Sequence, residues 1–127
     1  MNNSPHTINW FEIPTTQLGR AVDFYRAVTG LPMKVESYGA GEIAVFPADL
    51  GSVNGALIRD DRMIPGPGTI VYLNTAAFEG GLDGALARAA GAGATIVMPA
   101  TDIGVHGIIA LFKDSEGNTV GLHAVTY

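Results

Sequence analysis

Few residues in this chain can do chemistry, and their spacing narrows what that chemistry is. "INWFEIPTTQLGRAVDFY" sets Ile8, Trp10 and Glu12 two residues apart. On a strand, where side chains alternate, the three share one face. A carboxylate beside a tryptophan on such a face is either an acid, base or metal ligand, or the polar lip of a hydrophobic strand. His106 lies in "TDIGVHGII", a glycine-flanked loop before a strand, and loops at cavity mouths often carry ligand contacts. His6 sits in the terminus and takes no role. Cysteine is absent, which excludes disulfides, thiolate metal sites and cysteine nucleophiles. Asp114, Glu116 and Asn118 fall in "DSEGN", where tight-turn chemistry explains them. The chain has no glycine-rich phosphate loop, nucleophile elbow or Cys/His cluster.

Composition sets the outer bounds. The 127 residues are 47% hydrophobic and 15% charged, enough apolar surface for one domain with a substantial core. The net charge of −5 argues against nucleic acid, which needs a basic footprint. No apolar run approaches the roughly 20 residues that cross a membrane. "MNNSPHT" has neither a basic nor an apolar signal region. The expectation is a cytoplasmic chain without nucleic-acid or membrane partners.

The elements that must position these residues come in two sets. Residues 7–13 alternate as a strand, which Pro14 stops, and Thr16 is placed to cap a helix carrying Leu18, Val22, Tyr25 and Val28. "MKVESY", "EIAVFPA" and "SVNGALIR" follow as strands. "DDRMIPGPG", residues 60–68, is the connector. "TIVYLNT" then opens a second strand–helix–three-strand set, with a helix predicted from about Phe78 to Ala90 and strands in "GAGATIVMP", "GIIALFKD" and "NTVGLHAV". Val22 corresponds to Leu82, and Leu18 to Phe78, at a constant offset of 60 residues. The prediction is a single domain over 1–127, with module one at about 7–59 and module two at about 69–125. Tyr72, counted by alternation from Thr69 and Val71, is assigned to the helix side of its strand.

"FEIPTTQLGRAVDFYRAVTGLP" and the closing "FKDSEGNTVGLHA" resemble the vicinal-oxygen-chelate superfamily, which includes glyoxalase I, bleomycin-resistance proteins and extradiol dioxygenases. The resemblance runs from about Ile8 to Val125. It implies an α+β fold of two tandem βαβββ modules, whose mixed, mostly antiparallel sheet cups a cavity with the helices outside. It also implies a homodimer. Enzymes of this superfamily hold a divalent metal with His, Glu or Gln side chains on the first and last strands of each module. Those four positions fall here on Trp10, Asn54–Gly55, Thr69 and Gly121. None is a usual ligand for Mn, Fe or Zn, so the expectation is no cofactor unless a metal site has moved.

On that alignment Glu12 and His123 each stand two residues beyond an inherited position, roughly 7 Å along the strand. They are the candidate acid–base pair, or two ligands of a relocated metal. Trp10 either fills the old metal pocket or walls it for an aromatic or cationic ligand. Asn54, Thr69, His106 and Phe112 complete the candidate ligand contacts, although Phe112, like Phe46 and Tyr72, is of a type more often found in the core than in a site. Two functions remain open. One is a metal-independent small-molecule binder, as bleomycin-resistance proteins are. The other is a glyoxalase- or dioxygenase-like lyase, isomerase or oxidoreductase built around Glu12 and His123.

Overall fold

The computed structural model describes residues 7–38, 41–49 and 51–126; His6 lies outside them. Module one runs β1 (Trp10–Pro14), α1 (Leu18–Thr29), β2 (Lys34–Tyr38), β3 (Gly41–Val45) and β4 (Asn54–Arg59). Module two runs β5 (Tyr72–Asn74), α2 (Gly81–Gly91), β6 (Thr95–Asp102), β7 (Ile108–Lys113) and β8 (Thr119–Ala124). The strands form two open four-stranded sheets, ordered β1-β4-β3-β2 and β5-β8-β7-β6. β1 lies parallel to β4 and β5 parallel to β8, and the other pairings are antiparallel. The two βαβββ modules and the mixed, mostly antiparallel pairing are those the sequence predicts.

Each helix covers one face of its own sheet. Ala21, Val22, Phe24, Tyr25 and Val28 form the buried stripe of α1. The helix stops at Gly30, whose left-handed φ of 71° lets its N–H reach the Arg26 carbonyl at 2.9 Å. α2 begins at Gly81, not at Phe78 as predicted. Gly80 and Gly81 take left-handed φ values of 73° and 63°, which break any helix entering from Phe78. A one-turn 3-10 segment, Thr75–Ala77, fills the gap, capped by Asn74. The helices also pack on each other, and the Arg88 side chain donates to the Ala27 and Val28 carbonyls of α1 at 3.1 and 3.2 Å. One continuous core therefore runs from Ile13 and Leu57 through Val28 and Ala85 to Phe112 and Leu122. Each large apolar side chain in it contributes about 1.5–3 kcal/mol by leaving water.

An internal two-fold relation shows in hydrogen bonds as well as element order. Thr15, just after β1, is buried and its hydroxyl donates to the Ile58 carbonyl at 3.0 Å. Thr75, just after β5, is buried and donates to the His123 carbonyl at 2.9 Å. The two threonines keep the 60-residue offset of the helices, so Tyr72 is the counterpart of Glu12, and Ile70 rather than Thr69 that of Trp10.

The turn between β7 and β8 ties module two to the start of α1. No side chain next to α1 caps it; instead Glu116 accepts the Thr16 and Gln17 N–H groups at 2.9 and 3.0 Å. The same carboxylate pairs with Arg20 at 2.6 Å. Burial acts to raise the Glu116 pKa, but the Arg20 guanidinium and the two backbone N–H groups outweigh it and hold the carboxyl at about 2. Beneath it, the fully buried Tyr25 hydroxyl donates to Asp114 at 2.6 Å. Burial, and then the Asp114 carboxylate, push that hydroxyl well above the ordinary tyrosine range, so it stays a donor.

Candidate functional site

The sheet faces turned away from the helices carry Trp10, Glu12, Asn54 and His123 of the positions the sequence singles out. In the first sheet the register sets Trp10 beside Asn54 and Glu12 beside Ala56. In the second it sets Tyr72 beside Gly121 and Asn74 beside His123. Trp10 is 44% exposed and Tyr72 42% exposed, so each open face presents one aromatic side chain from the first strand of its module. Tyr72 faces away from its helix, contrary to the alternation count, because β5 starts at Tyr72 and Leu73 takes the core side. Its ring lies over Gly121, where a Cβ would stand 2.2 Å from a ring carbon. The 60-residue offset from Glu12 and the glycine across the strand pair were the available signals.

Each member of the predicted acid–base pair has another hydrogen-bond partner. Glu12 accepts the indole N–H of Trp10 at 3.3 Å. His123 Nε2 lies 2.6 Å from the His106 carbonyl; a carbonyl only accepts, so this nitrogen is the donor. Among the described residues neither side chain bonds to the other. His106 is exposed and enters through its backbone oxygen, at the end of a one-turn segment, Gly104–His106. Thr69 precedes β5 and lines a cleft of about 40 Å³ with Glu12, Pro14 and Thr119, enough for one water molecule. Phe112, expected among the ligand contacts, is fully buried with its ring 5.8 Å from Phe24. It belongs to the core, because β7 turns Ile108, Ala110 and Phe112 toward the helices.

A concavity lies where the modules meet. A cavity of about 510 Å³ opens between the end of α1, the β3–β4 connection, and the stretch from β5 to Phe78. Phe11, Phe46, Phe78 and Leu73 supply apolar wall. Phe11 lies over Gly55, where any side chain would collide with its ring at 2.4 Å, and it packs on Phe46 at 5.6 Å between centroids. Asn54 comes from module one and Asn74 from module two. Asn54 is thus the one predicted contact that lines this cavity. The volume falls within the roughly 300–1,000 Å³ of small-molecule sites.

The donor set does not fit the divalent metal that the resemblance implies. Among the described residues there is no group of three or more His, Cys, Asp or Glu able to hold a metal ion. Trp10 and Gly121 have no lone pair to give, and the Asn54 oxygen is already bonded to the Gly55 N–H at 2.7 Å. Nor, among the described residues, is any helix long and apolar enough to cross a membrane.

Comparison with known proteins agrees with this architecture. The family model described as Glyoxalase/Bleomycin resistance protein/Dioxygenase superfamily matches residues 7–122. No curated protein matches the chain. Among solved structures, a glyoxalase-related enzyme from Fulvimarina pelagi superposes with a TM-score of 0.70 at 13% identity, over 95% of this chain and 88% of that one. A glyoxalase/bleomycin resistance protein/dioxygenase family enzyme from Burkholderia phytofirmans PsJN gives 0.67 at 16% identity, over 92% and 97%. An antibiotic-binding protein from Streptomyces sp. CB03234 gives 0.62 at 22% identity, over 97% and 98%. At such identities the likeness is one of fold. With the family match spanning nearly the whole chain, this protein belongs to the glyoxalase/bleomycin resistance protein/dioxygenase superfamily.

Proposed function

We propose that this protein binds an uncharged or cationic small molecule in the cavity between its modules, without a resident divalent metal. The observation that carries this reading is the cavity itself: about 510 Å³, walled by Phe11, Phe46, Phe78 and Leu73, with Asn54 and Asn74 as polar contacts. Apolar walls with a few fixed polar groups are what a small-molecule site needs for affinity and orientation together. Glu12 is bonded to Trp10 and His123 to the His106 carbonyl, and no group of three metal donors stands among the described residues; these favour binding over the lyase, isomerase or oxidoreductase alternative. An antibiotic-binding protein among the fold neighbours is compatible with the same role. The exposed Trp10 and Tyr72 favour a homodimer that covers the open faces, which sedimentation velocity would report as twice the chain mass.

Thermal unfolding tests the binding reading. Naphthalene at 100 times its dissociation constant should stabilise the fold by about 2.7 kcal/mol, equally in chelator-treated and metal-supplemented protein. Stabilisation seen only with added metal would contradict the reading, and so would none at all.

A further inference from the structure

We infer that the free edge of β2 pairs with the same edge of a second copy of this chain, in an antiparallel register that sets Lys34 opposite Glu36 twice. The inference is independent of the cavity. β2 lies at the far edge of its sheet from Trp10 on β1, so this interface is distinct from one that covers the open faces. It follows from how each sheet edge is protected. The two sheets end at β1 and β2, and at β5 and β6. An unpaired edge offers N–H and C=O groups to any extended chain, and proteins blunt it with proline, bulges or brevity. β1 ends at Pro14, whose carbonyl accepts the Asn118 side-chain N–H at 2.8 Å. β5 has only three residues. β6 contains Pro99 and two register shifts against β7. β2 has none of these devices. Lys34–Tyr38 keeps an unbroken register with β3, and Lys34, Val35, Glu36 and Ser37 are all exposed.

The side chains on that edge decide which strand fits. Val35 stands beside Ala44, a core residue, so it faces the helix side, while Lys34 and Glu36 face the open side. Val35 is 50% exposed and lines a groove with Leu18 and Val22 of α1. A lysine protects an edge unless the incoming strand sets a carboxylate against it. A two-fold axis through Val35, perpendicular to the sheet, supplies that carboxylate. Lys34 of each copy then meets Glu36 of the other, and the two Val35 side chains meet on the helix side. A register two residues away in either direction sets Glu36 against Glu36 or Lys34 against Lys34, which like charges disfavour. A one-residue slip would bring opposite faces together. One register therefore satisfies both charges and both valines, and it joins two four-stranded sheets edge to edge.

Charge-swapped chains test the pairing. Lys34→Glu and Glu36→Lys each put two like-charge pairs across the axis, and mixing the two variants restores two opposite-charge pairs in a mixed dimer. Sedimentation equilibrium is run at about 0.1 M salt, where a Debye length of about 10 Å screens net charge but not facing pairs. Each variant alone should self-associate about 10-fold or more weakly than the wild type, and the equimolar mixture about as tightly as the wild type. Both positions are exposed, so unfolding temperatures measured beside these should stay close to that of the wild type. Variants that self-associate as tightly as the wild type would overturn the inference, and so would a mixture no tighter than either variant alone. A wild type that stays monomeric up to about 1 mM would overturn it too, leaving the edge to an extended segment of another protein. None of these outcomes alters the reading of the cavity.

Discussion

Tyr72 and Gly121 show how a single pair of residues decides what an open sheet face presents. The tyrosine ring occupies the space where any Cβ at position 121 would lie, 2.2 Å from its nearest carbon. Gly121→Ala should therefore turn the ring off the sheet and cost about 1–3 kcal/mol in urea unfolding. Tyr72→Ala made in the Gly121→Ala background should show a coupling energy of at least about 0.5 kcal/mol, whereas simple additivity would contradict the contact. At this scale the sequence was legible only in part. Trp10 and Glu12 share a face by alternation alone, and Asn54 lines a cavity. Tyr72 was misassigned because the count began at Thr69, which lies outside the short β5. Phe112 is of a type more often found in the core, and the core is where it lies; its side is set by which neighbours the helix covers. Tyr25 belongs to the same scale. Its hydroxyl bond to Asp114 is fully buried, so Tyr25→Phe should cost about 1–3 kcal/mol by leaving a carboxylate oxygen short of a donor. A midpoint of urea unfolding unchanged in Tyr25→Phe would show that bond to be dispensable.

The helices and turns were legible as elements, though not in how they are joined. Periodicity identified α1, and the 60-residue offset identified the repeat. The start of α2 was missed because apolar spacing continues through Gly80 and Gly81 while their backbone conformation does not. "DSEGN" reads correctly as a turn, yet the second task of Glu116 was invisible. Its partner Thr16 stands 100 residues away in sequence, and no local pattern reports such a distance. That task gives a pH prediction. The Glu116 carboxyl titrates at about 2 in the fold, against an ordinary 4.5. A depressed folded pKa contributes stability that is complete above about pH 4.5 and is lost as pH falls toward 2. Glu116→Gln should lower stability by about 1–3 kcal/mol at neutral pH and flatten the decline between pH 4.5 and 2. Parallel acid-unfolding curves for the two proteins would refute this role.

At the scale of the whole molecule, two half-sized modules that cannot each bury a sheet face share one core, and their helices fill it. The seam between them is left incompletely packed, and that gap is the cavity of about 510 Å³. The sequence predicted both modules and, following the resemblance to metal-binding relatives, a sheet cupped around a cavity. The described residues line a partly open cavity at the junction of α1, the β3–β4 connection and the Thr75–Ala77 turn. A side chain grown into that volume tests the assignment most directly. Ala77 lines the cavity from an exposed position on the turn, so Ala77→Phe should fill it without disturbing the core. Titration calorimetry of chelator-treated protein with naphthalene should give saturable binding at one site per chain, weakened at least about 10-fold in Ala77→Phe. Binding that survives unchanged in Ala77→Phe, appears only when a divalent metal is added, or never saturates would contradict a metal-independent site between the modules.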